Sequence, residues 1–303
     1  MKFDFSAGPR SVSRTYVPHI SCYVTGETDR LTDVILCPPY HLQAVPCCTV
    51  TRESLRAGFA ISMDEALAQH AALVDLLSKH GVRTHMLDPS PDLADMCFTR
   101  DIGVATPFGL VALRPAMPHR RGETEALLQA CARWSLPVSK IQQGTIEGGD
   151  VCVAREGLLL VGMSGERTCA TGIDAFSAPF RAAGWEVLVC PFHTDHLHLD
   201  TIFCMLDRKE AIACVELLDP EFVRKVIDRG IKILPVPARS AATLGCNILS
   251  LGERRIIASA GDAVVLDSLK SAGYAVETVD VSQFASCGGG IHCLTQPIRR
   301  VPS

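Results

Sequence analysis

One phrase recurs along this chain and limits what it can fold into: an amphipathic helix, a stop, and a strand that follows at once. Residues 62–79 (SMDEALAQHAALVDLLSK) carry Ala66, Leu67, Leu73, Leu76 and Leu77 on one side, the spacing of a helix packed on a core. Ser62 with Glu65 after it makes a capping-box start, and Gly81 supplies the stop. A strand is expected at 82–87. The phrase returns at 173–183 with Gly184 and strand 185–190, and at 220–229 with Gly230 and strand 231–236. It appears again at 262–272 with Gly273 and strand 274–279. A further copy, helix 123–135 then strand 136–141, lacks the glycine. The spacing is very roughly 40–55 residues, within the range of structural repeats.

Short apolar strand pairs lie between these units, at 103–105 with 110–114, 151–154 with 158–162, 202–206 with 211–215, and 247–251 with 255–259. Turn chemistry such as Pro107-Phe108-Gly109 and Arg155-Glu156-Gly157 joins them as hairpins. The module is therefore strand, strand, helix, strand. Five such modules without a linker predict one α/β domain over residues 1–303, closed into a pseudo-symmetric ring. In such a ring, equivalent module positions converge on the axis. The longest irregular stretch is expected at 38–60, between a first strand at 33–37 and the first helix, as a lid or a surface insertion.

Composition excludes several classes. With 48% apolar and 20% charged residues the chain is ordinary globular material. A formal charge of -4 without a long basic run argues against nucleic-acid or anionic-membrane partners. No apolar segment approaches the roughly 20 residues needed to span a bilayer. The opening MKFDFSAGPRSVSR lacks the apolar core of a secretory signal, so the cytoplasm is the expected compartment. The 14 cysteines are scattered, mostly in apolar runs, with no C-x-x-C pair. In a reducing compartment they read as small buried hydrophobes. Cys293 and Cys287 have a different context, and for Cys287 burial is the favoured reading.

Cys287-Gly288-Gly289-Gly290-Ile291-His292-Cys293 sits between Val279, Val281 and Phe284 on one side and Leu294 and Ile298 on the other. That pattern reads as strand, ordered turn, strand, and a thiol held at an ordered turn is a candidate nucleophile. Three more clusters fall at strand ends: Asp95 to Asp101, Glu147-Gly148-Gly149-Asp150, and His193 to Phe203. On a strand, His196, His198 and Asp200 would share a face, a reasonable metal-ligand set, so a binuclear metallohydrolase is a rival reading. It leaves the glycine-presented cysteine without a role, and the remaining acids pair with arginine (Arg100-Asp101) rather than with histidine.

Phe98-Thr99-Arg100-Asp101, Glu147-Gly148-Gly149-Asp150-Val151, the Gly162 to Thr168 stretch, His198-Leu199-Asp200-Thr201-Ile202-Phe203, Gly245-Cys246-Asn247 and Gly288 to Cys293 come in the order seen in the guanidine-modifying superfamily. The chain resembles that group, which includes arginine and agmatine deiminases, dimethylarginine dimethylaminohydrolases and amidinotransferases. The resemblance runs from about residue 30 to 300. It implies a five-bladed α/β propeller of ββαβ modules (pentein-type), a cysteine nucleophile, and no metal or other cofactor. Cys293 would attack a guanidinium carbon, His198 would carry the proton, and Glu147 would belong to the same cradle. Asp101 and Asp200 would bind the guanidinium, matching its N–H donors with charge-assisted acceptors. Arg120 and Arg167 match arginines that bind a substrate carboxylate. The expected partner is an arginine-like small molecule, converted to a ureido product, with a homodimer left open.

Within the group, the length and the Arg114-Pro115…Arg120-Arg121-Gly122-Glu123 segment resemble dimethylarginine hydrolases, whereas Phe-Thr-Arg-Asp and His-Leu-Asp resemble deiminases. Asp200 departs from the usual dimethylarginine-hydrolase pattern and points to a terminal nitrogen that is unsubstituted or singly substituted. The end of the chain, Cys293 with Arg299-Arg300, also resembles amidinotransferases, which pass the amidino group to an amine. A non-catalytic arginine-binding protein is the remaining alternative.

Overall fold

The computed structural model describes residues 20–302; the opening segment read above for a secretory signal lies outside the described residues. In chain order the elements are β1 (Arg30–Leu36), α1 (Thr49–Arg56), α2 (Met63–Lys79) and β2 (Arg83–Met86). Next come β3 (Gly103–Thr106), β4 (Gly109–Ala112), α3 (Arg121–Arg133) and β5 (Val138–Lys140). They are followed by β6 (Val151–Arg155), β7 (Leu158–Met163), α4 (Ala170–Ala182) and β8 (Glu186–Pro191). The fourth set is β9 (Phe203–Asp207), β10 (Glu210–Ala213), α5 (Pro220–Asp228) and β11 (Lys232–Pro235). The last elements are β12 (Leu249–Gly252), β13 (Arg255–Ser259), α6 (Ala263–Ser271), β14 (Ala275–Val279), α7 (Ser282–Ala285) and β15 (Gln296–Val301).

The strands form five three-stranded sheets, all wired alike. In four of them two consecutive strands pair antiparallel, and the helix then carries the chain across to a third strand parallel to the middle one. In the fifth, β1 is the middle strand: it pairs antiparallel with β15 and parallel with β2. Among the described residues, the last strand thus completes the sheet that holds the first. Inner strands pack on one another, β15 on β3, β12 on β9 and β9 on β6, with β1 also against β12.

Local chemistry explains the helix boundaries. Ser62 Oγ accepts the Glu65 N–H at 3.4 Å, Asp219 accepts Phe222 N at 2.8 Å, and Asp262 accepts Val265 N at 3.1 Å, each opening a helix. Each covers its sheet with an apolar stripe, as α2 does with Ala66, Leu73 and Leu77. Two expectations change. The 38–60 stretch is not wholly irregular, because α1 lies within it. The segment directly before the glycines is not all strand: β14 ends at Val279, Val281 stands at the start of the single helical turn α7, and Phe284 lies within it. No helix among the described residues is long and apolar enough to cross a membrane.

A tight turn precedes the inner strand of several sheets: Thr99–Ile102 before β3, Gly148–Asp150 before β6 and Leu199–Thr201 before β9. Asn247 and Cys293 lie close before β12 and β15. The glycine run fits this crowded place. Gly288 takes φ +91°, a Cβ on Gly289 would sit 2.2 Å from the Phe98 ring, and one on Gly290 would sit 2.6 Å from Asn247 Oδ1. Gly289→Ala is therefore expected to cost about 1–3 kcal/mol in urea unfolding, as overpacking of a filled core does. A loss within experimental error would mean that the Phe98 ring yields freely.

Candidate active site

The turns bring most of the expected residues to one place. Cys293 is 1% exposed, and its Sγ lies 3.5 Å from Asp200 Oδ2 and 3.2 Å from the Asn247 amide nitrogen, which donates to it. Asn247 Oδ1 accepts the backbone N–H groups of His292 (2.9 Å) and Cys293 (3.3 Å), so one side chain pins both the loop and the thiol. Cys293 and Asp101 share a cleft with Asp95, Arg120, Arg167 and Gly289.

His198 is fully buried. Its Nε2 meets Glu147 Oε2 at 2.7 Å, and its Nδ1 lies 3.5 Å from Asp101 Oδ1 without a hydrogen-bond partner. Burial alone would favour the neutral ring, but the charge of Asp101 and the bond to Glu147 overcome it and raise the pKa to about 10. Glu147 is correspondingly held well below the usual carboxylate range, burial being outweighed by His198 and by the charges of Arg167 and Arg120. Its other oxygen accepts Ala116 N at 2.9 Å.

A stability consequence follows from the direction of the His198 shift. A histidine whose folded pKa lies above its unfolded value of about 6.5 contributes its full stabilisation below that unfolded value. The contribution should decline above pH 6.5 and be lost as pH rises through about 10. His198→Gln should flatten this limb in a series of urea titrations. An unchanged alkaline limb would place the titration elsewhere.

Asp200 is bound on one side only. Oδ2 accepts from His292 Nδ1 at 2.8 Å, while Oδ1 is buried without a partner. His292 in turn meets Glu27 Oε1 through Nε2 at 2.9 Å, and Arg100 Nη1 donates to the same oxygen at 3.0 Å. Burial and the Arg100 charge oppose protonation of His292; Glu27 and Asp200 prevail and raise its pKa. Glu27, in Thr25-Gly26-Glu27-Thr28, and His292 as a bridging residue were not singled out from sequence. Glu27 stands in no apolar period and no motif flags it.

The two arginines differ. Arg120, expected at a substrate carboxylate, has its guanidinium committed within the protein. Nη1 bonds Asp101 Oδ2 at 2.5 Å, Nη2 and Nε bond Glu123, and Nη2 also reaches the carbonyls of Asp95 and Phe98. Asp101, expected to hold a substrate guanidinium, thus already holds a protein one. Arg167 Nη2 donates to the Cys47 carbonyl at 2.8 Å, and its Nη1 lies 3.5 Å from Glu147.

The metal set weighed from sequence does not assemble. His198 to Asp200 lead into a 3-10 turn instead of a strand, so the alternation that would align His196, His198 and Asp200 is lost. Among the described residues, metal-type ligand atoms gather within 4.8 Å at Asp101, Glu147 and His198, and at Cys47, Asp95 and His119. In the first group the carboxylates already meet Arg120 and His198, which leaves little uncompensated negative charge for a cation.

An α/β fold of repeated small sheets with a buried cysteine, a histidine and carboxylates at the turns is that of the guanidine-modifying enzymes. A family model for N,N dimethylarginine dimethylhydrolase, eukaryotic, matches residues 50–300, and the chain belongs to that family. The N(G),N(G)-dimethylarginine dimethylaminohydrolase of Streptomyces coelicolor is 32% identical over 239 residues, covering 78% of this chain and 87% of its own. The uncharacterized protein YkgA of Bacillus subtilis is 29% identical over 276 residues, covering 90% and 94%. The N-terminal domain of ArgZ, a cyanobacterial arginine dihydrolase, superposes with a TM-score of 0.77 at 23% identity, over 90% of this chain and 98% of that one. That likeness establishes the shared fold.

Proposed function

We propose that this chain hydrolyses the guanidino group of arginine, or of an arginine with one substituent on the terminal nitrogen, through a covalent amidino-cysteine. The observation that carries the reading is a pair of buried, unpartnered polar atoms, Asp200 Oδ1 and His198 Nδ1, in the site that holds the Cys293 thiol. A guanidinium supplies donors for the first and a leaving nitrogen for the second.

As the guanidinium binds, the Cys293 S–H proton is lost to solvent, and the thiolate Sγ attacks the guanidinium carbon, forming a C–S bond and a tetrahedral intermediate. The C–N bond to the terminal nitrogen then breaks, and that nitrogen leaves with a proton from His198. Neutral His198 next takes a proton from water, which attacks the same carbon. Cleavage of the C–S bond releases a ureido product, and the proton of the added hydroxyl passes to the sulfur and returns the thiol. Glu147 holds the imidazolium in place and stabilises its charge. Asp101, Arg120 and Glu123 form one charge-balanced unit that fixes the far wall, and Asp101 keeps Oδ1 turned to His198.

The cleft also carries Arg167 and Asp95, an opposite-charge pair of residues suited to the carboxylate and ammonium of an amino acid. Arg120 can reach that carboxylate only by giving up part of its present set of bonds. The five sheets are read here as the blades of one propeller, with the chain forming a single catalytic domain and the site on its axis.

The test is to incubate the protein with arginine and with monomethyl-, dimethylarginine and agmatine, and to quantify ammonia, alkylamine and ureido product. Arginine or monomethylarginine turnover with stoichiometric citrulline is the expected result. Transfer of the amidino group to ornithine or hydroxylamine in preference to water would replace this reading with an amidinotransferase. Loss of turnover on chelation would replace it with a metallohydrolase.

A further inference from the structure

Behind the Cys293 loop, the interior holds more positive than negative charge. Arg100, Arg300 and His292 are each 5% exposed or less. His292 places a ring nitrogen against each of two carboxylates, at 2.8 Å and 2.9 Å, which requires both nitrogens to donate and makes it an imidazolium. Facing these three cations are two carboxylates, Glu27 and Asp200. Asp29 is the next acid, but its carboxylate pairs with Arg208 at 2.7 Å. With that pair counted, four cations face three carboxylates, Arg208 alone of the cations being half-exposed, so the positive charge here exceeds the negative by one and is incompletely compensated.

The excess sits beside a small cavity bordered by Glu27, Arg100, Arg300, Val104, Val151 and Pro297. Both guanidiniums border it and have donors to spare. Arg100 uses Nε on the Thr295 carbonyl and Nη1 on Glu27, leaving Nη2 without a partner. Arg300 uses Nη1 on the carbonyls of Asp29 and Ser250, leaving Nε and Nη2 without partners. Burial presses on this second group: the Arg300 pKa falls to about 10. The cavity, of about 10 Å³, has room for one small species and none for a polyatomic oxyanion.

We infer that the cavity between Arg100 and Arg300 is a binding site for a single monatomic anion, with chloride as its physiological occupant. Chloride can accept from N–H groups on these three unpartnered nitrogens and cancels the surplus charge, which a water molecule does not. Sulfate and phosphate carry the right sign but exceed the space. The site is lined by other residues than the substrate cleft; it is tied to Cys293 by the Arg100 backbone N–H on the Cys293 carbonyl at 3.1 Å and by Glu27, His292 and Asp200, and it stands whether or not the proposed reaction is correct.

The test is a crystal of the full chain grown in sodium bromide, with diffraction measured at the bromine absorption edge. An anomalous peak between Arg100 and Arg300 is expected; a fully occupied water there, with no anomalous signal, overturns the proposal. In solution, the melting midpoint should rise saturably, by about 2 °C or more, when sodium chloride replaces sodium gluconate at constant ionic strength. Equal midpoints in the two salts would also overturn it. Arg300→Gln should abolish the chloride-specific rise, and if that variant fails to fold, the bromide experiment on the unmodified protein decides.

Discussion

Cys293→Ser should lower turnover of arginine by about 10³-fold or more while leaving the fold intact, a barrier increase of at least about 4 kcal/mol. The expectation rests on how the thiol is held. Burial pushes its pKa well above the ordinary range, and the charges of Asp200 and Asp101 push it further, so the resting enzyme carries a protonated thiol. A guanidinium entering the site brings a positive charge beside those same carboxylates and so favours the thiolate. On the proposed reaction, nucleophile and substrate would activate each other. Serine cannot share in this, because its hydroxyl holds its proton far more tightly at the same position. Its smaller oxygen keeps the hydrogen bond from Asn247 within reach, so urea unfolding should shift by less than about 1 kcal/mol. Mass spectrometry of the unmodified protein quenched during turnover should show an amidino adduct on the Cys293 peptide, absent in the variant. A serine variant active within tenfold of the parent, or an adduct on another residue, would remove the covalent mechanism.

Much of this site was legible before any coordinates, for a physical reason. The module period is local, so apolar spacing, caps and glycine stops mark α2, α4, α5 and α6 in the sequence itself. Because modules repeat, the chemistry-bearing turns fall at equivalent places, and Asp101, Glu147, His198 and Cys293 could be grouped without knowing the fold. What stayed hidden was the part that depends on long-range pairing. The sheet joining β15 to β1 links the two ends of the described chain, and no local signal reports it. Glu27 becomes important only because that closure brings it to His292. Arg120 shows the reverse case. Its partner Glu123 lies one helical turn away, the ordinary spacing of a local ion pair, yet motif resemblance drew attention to a substrate carboxylate instead. His196 misled for a similar reason, since alternation aligns side chains only on a strand and the backbone there turns.

The second large effect concerns which nitrogen leaves. Asp200→Asn should reduce kcat/KM for arginine by about 10²-fold or more and should narrow the gap between arginine and dimethylarginine. Asp200 Oδ1 is buried and unpartnered, and Oδ2 is already taken by His292. A terminal N–H of arginine supplies the missing donor, whereas two methyl groups on that nitrogen supply none and leave a carboxylate oxygen buried against carbon. Leaving such a group unpaired costs roughly 1–3 kcal/mol for a neutral acceptor and more for a charged one. On the proposed reaction the same oxygen would bind arginine and reject dimethylarginine, since a site built on hydrogen bonds discriminates strongly against an analogue that lacks them. In the asparagine variant the charge is gone, so the penalty against methyl groups falls together with the attraction for N–H. Measuring kcat/KM for arginine, monomethylarginine and asymmetric dimethylarginine on both proteins separates the two contributions. A parent enzyme that releases dimethylamine faster than ammonia would overturn the assignment of Asp200. A variant that lost activity equally on all three substrates would make Asp200 a holder of His292 and Cys293 with no part in choosing the substrate.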